Sequence, residues 1–192
     1  MPSDGELEPT PGGSDADRTL VHQGPVFGVR RVDYQDRDGR SVRKEFMEHP
    51  GAITVIPEEA DGTILMVRVG RIAVGRFLLE FCAGKLEPGE LPADAAAREL
   101  EEEVGRTAAE VRSLGSYLTS PGCSDERIHA FHAQGLTKTS TRLEAGEEIE
   151  VIPMRPEQID DLIASGGIDD GKTIAAWYLW RHGVGASEGR SS

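Results

Sequence analysis

Four glutamates, Glu99, Glu101, Glu102 and Glu103, stand within one turn and a half of a short segment that ends at Gly105. Written as a helix, with successive residues rotated by roughly 100°, the segment puts Glu99, Glu102 and Glu103 on one arc and turns Glu101 away to solvent. Ala96, Ala97, Leu100 and Val104 occupy the adjoining arc, the one expected to pack on a sheet. Arg98 lies beside Glu102 and offsets part of the charge. Like charges three or four residues apart destabilise a helix by about 0.2–0.5 kcal/mol per pair, and the C-terminal end of the macrodipole prefers cations. A divalent cation would relieve both penalties. Mg2+ takes carboxylate oxygens and keeps its other positions for water and substrate phosphates. A solvated acidic face has the same composition, so the carboxylates by themselves leave both readings open.

The spacing of the whole stretch is more specific. Gly84, five residues, Glu90, seven residues, then Arg98-Glu99-Leu100-x-Glu102-Glu103-x-Gly105 resembles the Nudix hydrolase box, G-x5-E-x7-R-E-U-x-E-E-x-G-U, where U is bulky and apolar. Every fixed letter matches, and a pattern fixing so many positions is far more selective than a lone glycine loop. The one departure is Arg106, where an apolar residue is usual. The resemblance implies a loop–helix–loop over 84–106 that binds divalent metal and cleaves a nucleoside diphosphate linked to another moiety. Glu99, Glu102 and Glu103 would be the ligand carboxylates, with Arg98, Glu102 and Glu103 in the catalytic set. Arg98 would pair with Glu90 and orient the loop against the helix. Gly84 and Gly105 would permit backbone bends that a side chain obstructs.

Flanking segments narrow the resemblance to the ADP-ribose pyrophosphatases. "LLEFCAGKLEPGE" is similar to their "ELPAGK" entry, with Cys82 where proline is common, and implies the carbonyl of Ala83 as a further metal ligand. "TSPGCSDERIHAF" resembles the segment after the box, with Pro121 near the family's marker proline and Glu126 matching a glutamate that activates the attacking water. "DDGKTIAAWYL" resembles the C-terminal "DGKT" helix. Arg68 and Arg71, just after a strand, match the "RQYR" segment and could hold a phosphate by charge-assisted bonds; ordinary surface arginines fit as well. Glu80 is a candidate to hold substrate or metal. Phe27, in the N-terminal strand, matches an aromatic that stacks on adenine, although core packing competes for it. His129 and His132 flank Phe131 without a third ligand, which favours satisfied strand histidines over zinc. The resemblance covers about residues 24–182. It implies hydrolysis of ADP-ribose to AMP and ribose 5-phosphate with Mg2+, Mn2+ being the alternative ion, in a homodimer whose N-terminal hairpin completes the partner's site. Another nucleoside diphosphate sugar or a dinucleotide as substrate, and a non-catalytic ADP-ribose-binding module, are the competing readings; such modules tend to lose box glutamates, which are all present here.

The elements that must position these residues follow from local pattern. "PVFGVRRVDY" and "SVRKEFMEH" flank "QDRDGR", whose Asp38-Gly39 signals a hairpin over about 24–48. "GAITVIP", "TILMVRVG" and "FLLEFCAG" are short apolar runs bounded by Gly and Pro, the pattern of buried strands. A helix runs from Pro92 to Val104, with Pro at its start and Gly105 after its end. "EVRSLGSYL", "RIHAFHAQGL" and "EIEVIPM" are further strands. Helices follow over 156–164 and from "DDGKTIAAWYLWRH", capped by Asp169 or Asp170. Strands interleaved with helices give an α/β (α+β) fold, and the resemblance implies an α/β/α sandwich with a mixed central sheet behind an N-terminal hairpin. The domain is expected over 19–183, between an acidic leader (1–18) and a tail (184–192), both without a packed core.

Composition sets limits on partners. The chain has 192 residues and a net charge of −13, which argues against nonspecific binding to nucleic acid or an anionic membrane. No apolar run approaches the length of a membrane span. The start lacks the basic and apolar regions of a signal peptide. Cys82 and Cys123 are far apart, without C-x-x-C spacing, and read as buried inert thiols in a reducing, cytoplasmic setting. A small nucleoside diphosphate conjugate, its charge offset by metal, is the remaining class of partner.

Overall fold

The computed structural model describes residues 18–143 and 148–183. The leader expected over 1–18 lies outside the described residues except for Arg18, and the tail expected over 184–192 lies outside them altogether. The described chain forms two compact units. The first takes residues up to His49 together with Ser120–Glu126; the second takes Pro50–Thr119 and continues from Arg127.

The first unit is a three-stranded antiparallel sheet of β1 (Arg18–Gln23), β2 (Gly28–Gln35) and β3 (Ser41–Glu48), in that order. The expected hairpin is β2–β3. Its turn is closed by Asp36, whose Oδ1 accepts the N–H groups of Asp38 and Arg40, each at 2.9 Å, and by Gly39 at φ 76°. The added strand β1 extends the sheet beyond the two strands expected. Phe27, expected within a strand, lies in the β1–β2 connection, where its carbonyl accepts the Gly24 N–H at 3.0 Å. The Ser120–Glu126 segment is stitched to the end of β3: the Met47 N–H donates to the Cys123 carbonyl (2.8 Å), and the Asp125 N–H to the Met47 carbonyl (3.2 Å).

The second unit contains β4 (Ala52–Pro57), β5 (Ile64–Arg71), β6 (Arg76–Glu80), β7 (Cys82–Lys85), α1 (Pro92–Val104), β8 (Arg106–Thr107), β9 (Glu110–Leu118), β10 (Arg127–Gln134), β11 (Thr137–Lys138), β12 (Ile149–Met154), α2 (Pro156–Ser165) and α3 (Gly171–Arg181). One sheet is mixed, in order β7-β4-β10-β9, with β4 and β10 parallel. A second, β12-β5-β6, is antiparallel, and β8 pairs with β11. Period-two alternation shares the strands between two cores. Ile53, Val55, Leu65, Val67, Phe131 and Ala133 pack with Ala95, Ala96 and Leu100 of α1. Ile56, Ile64, Met66 and Ala130 pack with Ile159 of α2 and Ala176 and Trp177 of α3. The result is the expected helix–sheet–helix layering around a mixed sheet.

Two local expectations are corrected. "FLLEFCAG" is two strands of two different sheets, divided at the fully buried Phe81, whose N–H donates to the Thr173 hydroxyl of α3 (3.2 Å). Arg68 and Arg71 lie inside β5 rather than after it.

Candidate functional site

The loop between β7 and α1 folds around one carboxylate. Glu90 accepts the Glu87 N–H at 3.0 Å, and Leu86 donates its N–H to the Gly51 carbonyl at 3.1 Å. Arg98 then grips Glu90 as a fork, Nε to Oε1 at 2.9 Å and Nη2 to Oε2 at 3.0 Å. The implied Arg98–Glu90 pair is therefore present. Nη2 also donates to the Lys85 carbonyl (3.2 Å), which joins strand, loop and helix through one side chain. The bonded Arg98 holds the Glu90 carboxyl below its ordinary range, and Glu90, ahead of Glu99 and Glu102, holds Arg98 protonated well above its own.

The other hand of Arg98 reaches the acidic helix. Nη1 lies 2.7 Å from Glu99 Oε1 and 3.2 Å from Glu102 Oε2. Glu103 turns inward, 8% exposed, and its Oε2 accepts the Ala83 N–H at 3.1 Å. The buried face of α1 is Ala95, Ala96, Leu100, Glu103 and Val104. It is rotated towards the glutamates relative to the expected arc, so Ala97 is exposed instead of packed. Glu101 stands apart and pairs with Arg142 at 3.3 Å.

Gly84 has a steric reason to be glycine. A Cβ built there would overlap the Oε1, Cδ and Cγ atoms of Glu99, so the carboxylate lies flat against the bare backbone. Gly105 has a conformational one: it ends α1 in the left-handed region at φ 64°, and a Cβ would also press on Thr139 and Thr141. Arg106, the position departing from the box pattern, forms an ion pair with Glu59 at 2.9 Å where an apolar contact is usual.

Glu99, Glu102 and Glu103 offer hard oxygen donors of the kind Mg2+ takes. Among the described residues no group of three His, Cys, Asp or Glu side chains already stands as a metal cage. The Arg98 Nη1 bonds both Glu99 and Glu102, and Glu103 accepts a backbone N–H. The donor set fits a divalent ion once Nη1 of Arg98 yields, because the Glu90 fork uses its other nitrogens.

Beyond the box lies a second ionic cluster. Glu80, 1% exposed, binds Arg71 as a fork, Nε to Oε1 at 2.9 Å and Nη2 to Oε2 at 2.7 Å, and also accepts from Lys172 Nζ. Lys172 bridges onward to Asp170 at 2.9 Å. Asp170, and not Asp169, caps α3 by accepting the Thr173 N–H at 3.0 Å. Burial pushes the Asp170 carboxyl up, but Lys172 and Thr173 outweigh it and its affinity for a proton falls. Glu80, and more weakly Glu103 and Asp170, strengthen the hold of Arg71 on its proton. Lys172 as the second cation on Glu80, with Asp170 behind it, is the pairing that sequence reasoning misses; the "DGKT" string is the available signal. Arg68 lies over the Phe77 ring, 3.9 Å from its centroid, and 3.6 Å from Glu150.

Phe27, Pro121 and Glu126 belong to the first unit. Phe27 is 39% exposed and Pro121 is exposed. Glu126 precedes β10 with its Oε1 3.6 Å from His49 Nδ1, and Asp125 Oδ1 accepts the His49 N–H at 2.9 Å. His132 is satisfied by Glu58 at 2.7 Å; burial, opposed by Glu58, lowers its proton affinity. Burial likewise lowers that of His129. Cys82 is buried, and burial, reinforced by Glu103 and Glu99, pushes its thiol well up. Cys123, expected to be buried, is exposed beside the Ser120 hydroxyl, because its loop lies along β3 and not in a core.

Comparison with known proteins bears on the family and fold of the chain. A family model described as "NUDIX domain" matches residues 47–177. An ADP-ribose pyrophosphatase of Bacillus subtilis (strain 168) is 35% identical over 158 residues, 81% of this chain and 85% of that protein. A methanol dehydrogenase activator of Bacillus methanolicus is 36% identical over 162 residues, 83% of this chain and 88% of that protein. Among solved structures, one titled "Crystal structure of ADP compounds hydrolase" superposes with a TM-score of 0.79 at 24% identity, covering 97% of this chain and 99% of that one, a likeness of fold. No helix among the described residues is long and apolar enough to cross a membrane.

Proposed function

The chain belongs to the Nudix family, and from that premise we propose that it hydrolyses the diphosphate of ADP-ribose, releasing AMP and ribose 5-phosphate. The observation that carries a hydrolytic site is the seat of Glu99 on the bare backbone of Gly84, with Arg98 bound both to the box loop and to the acidic helix. ADP-ribose as substrate is supported by the 35% identity to an ADP-ribose pyrophosphatase across 81% of this chain.

Members of this family generally use a divalent metal; Mg2+ is the ion proposed here, with Mn2+ as substitute. Glu99, Glu102, Glu103 and the carbonyl of Ala83 would hold it. When bound, the ion offsets phosphate charge and acidifies water. The remaining work falls to this chain. Arg98 keeps its grip on Glu90 while Nη1 leaves Glu99 and Glu102, so the helix stays fixed to its loop as those carboxylates change partners. Arg71, its side chain 42% exposed, offers a guanidinium to a phosphoryl oxygen while Glu80 holds the other edge. Arg68 supplies a second cation to the substrate, and Glu80 acts through Arg71. From the first unit, Glu126 is proposed as the base for the attacking water, Phe27 as the stacking partner of the adenine and Pro121 as a further substrate contact. The protein is proposed to act as a cytoplasmic homodimer.

The test is a panel of nucleotide conjugates, including ADP-ribose, a GDP-sugar and a dinucleotide, with Mg2+ and with Mn2+ and with products identified. ADP-ribose should give the highest kcat/KM and AMP as product. Preference for another conjugate would reassign the substrate, and binding without turnover would make the chain a ligand-binding module.

A further inference from the structure

The start of α3 is bolted to the strand that leads into the box. Thr173 Oγ1 accepts the Phe81 N–H at 3.2 Å and donates to Asp170 at 2.6 Å, while Lys172 ties Asp170 to Glu80. Glu80 is thus a fully buried carboxylate shared between two cations, Arg71 and Lys172. A buried carboxylate stripped of one partner draws harder on the one that remains. The Arg71 fork engages Nε and Nη2 and does not use Nη1, on a side chain that is 42% exposed.

We propose that Lys172 is a positioning residue for substrate binding: by sharing the Glu80 carboxylate it fixes the Arg71 guanidinium where it can receive a phosphoryl oxygen. This rests on the function proposed above and assigns to a residue of the last helix, far along the chain from the box, a role in that site. With Lys172 present, the two cations balance Glu80 and Asp170, so Arg71 is oriented without being fully claimed. Without it, Glu80 has Arg71 alone, and the guanidinium is pulled onto the buried carboxylate.

The experiment is a double-mutant cycle of Lys172→Met and Arg71→Met in the full chain, read by KM and kcat for ADP-ribose with Mg2+, by calorimetric binding of ADP-ribose in EDTA, and by Tm. Lys172→Met should raise KM and Kd on the order of tenfold, the loss of one charge-assisted bond, with kcat within about twofold because binding and not chemistry is affected. Lys172→Arg, which can also donate to Glu80, should restore most of the loss. In the Arg71→Met background, Lys172→Met should add nothing further, since the two residues act as one. Additive losses, or a lower Tm with KM and Kd intact, would overturn the role of Lys172. A wild-type chain that binds but does not hydrolyse ADP-ribose would sink the proposed reaction alone, and the binding cycle would still decide the role of Lys172. A wild-type chain that neither binds nor hydrolyses it would overturn both.

Discussion

Substituting Gly84 by alanine isolates the position of one carboxylate from the stability of the fold. The backbone of Gly84 lies outside the left-handed region, so alanine adopts it without strain. The nearest atoms the added methyl would meet are Oε1, Cδ and Cγ of the Glu99 side chain. Overpacking a rigid core costs about 1–3 kcal/mol, but here the obstruction is the end of a flexible, partly exposed side chain that can swing aside. Replacing glycine also stabilises by about 0.4–1 kcal/mol through the unfolded state. The net change in stability should be within about 1 kcal/mol, or a Tm shift of no more than about 4 °C. The swing breaks the 2.7 Å bond between Arg98 and Glu99 and moves a donor oxygen by more than a bond length. A displacement of that size at a reacting centre costs on the order of 100-fold in rate. AMP release from ADP-ribose with Mg2+, paired with thermal unfolding of the same preparations, separates the two effects. Activity at the wild-type level with an unchanged Tm would refute the importance of the Glu99 seat, and loss of the fold would refute the steric reasoning.

Three further outcomes follow from the same geometry. The Glu90 carboxyl is held below its ordinary range by Arg98, so the stability from this pair is present above the unfolded-state value of about 4.3 and is lost as pH falls through the folded one. The gap in urea midpoint between wild type and Arg98→Met should therefore be wider at neutral pH than at about pH 3; a gap constant with pH would contradict the assignment. Trp177 is 4% exposed, donates to Asp160 at 2.7 Å and lies 4.8 Å from the Trp180 ring, so Trp177→Ala should destabilise by about 3–5 kcal/mol in denaturant titration, and a loss under about 1 kcal/mol would show that α3 is not part of the core. A maleimide should label exposed Cys123 in the native protein and reach buried Cys82 only on unfolding; native labelling at both would contradict the buried seat of Cys82.

What was readable in the chain was what local physics or the chemistry of one short segment constrains. The helix 92–104 is announced by Pro92 and Gly105, and its glutamates stand out by a spacing that resembles the Nudix box. The strands at 52–57 and 110–118 are short β-rich runs between breakers. The rest depends on partners distant in sequence. Nothing near Phe81 announces a strand break, because the hydroxyl that takes its N–H is on Thr173. The burial of Glu80 is equally silent, since Lys172 arrives from the last helix and Arg71 from a neighbouring strand. The arc that leaves Ala97 exposed is set by the sheets α1 packs against, and helical periodicity alone could not choose between two adjoining faces. Cys123 is exposed because its loop follows the edge of β3, a placement its own neighbours do not encode.

The central claim is that the carboxylates of α1 hold the divalent ion. Titrating Mn2+ into the protein and counting free ion by electron paramagnetic resonance tests it without recourse to turnover. The wild-type chain should take up Mn2+ that Mg2+ displaces, and Glu99→Gln with Glu103→Gln should abolish that uptake while keeping the wild-type circular dichroism spectrum. Undiminished binding in the double variant would place the ion elsewhere and contradict the account.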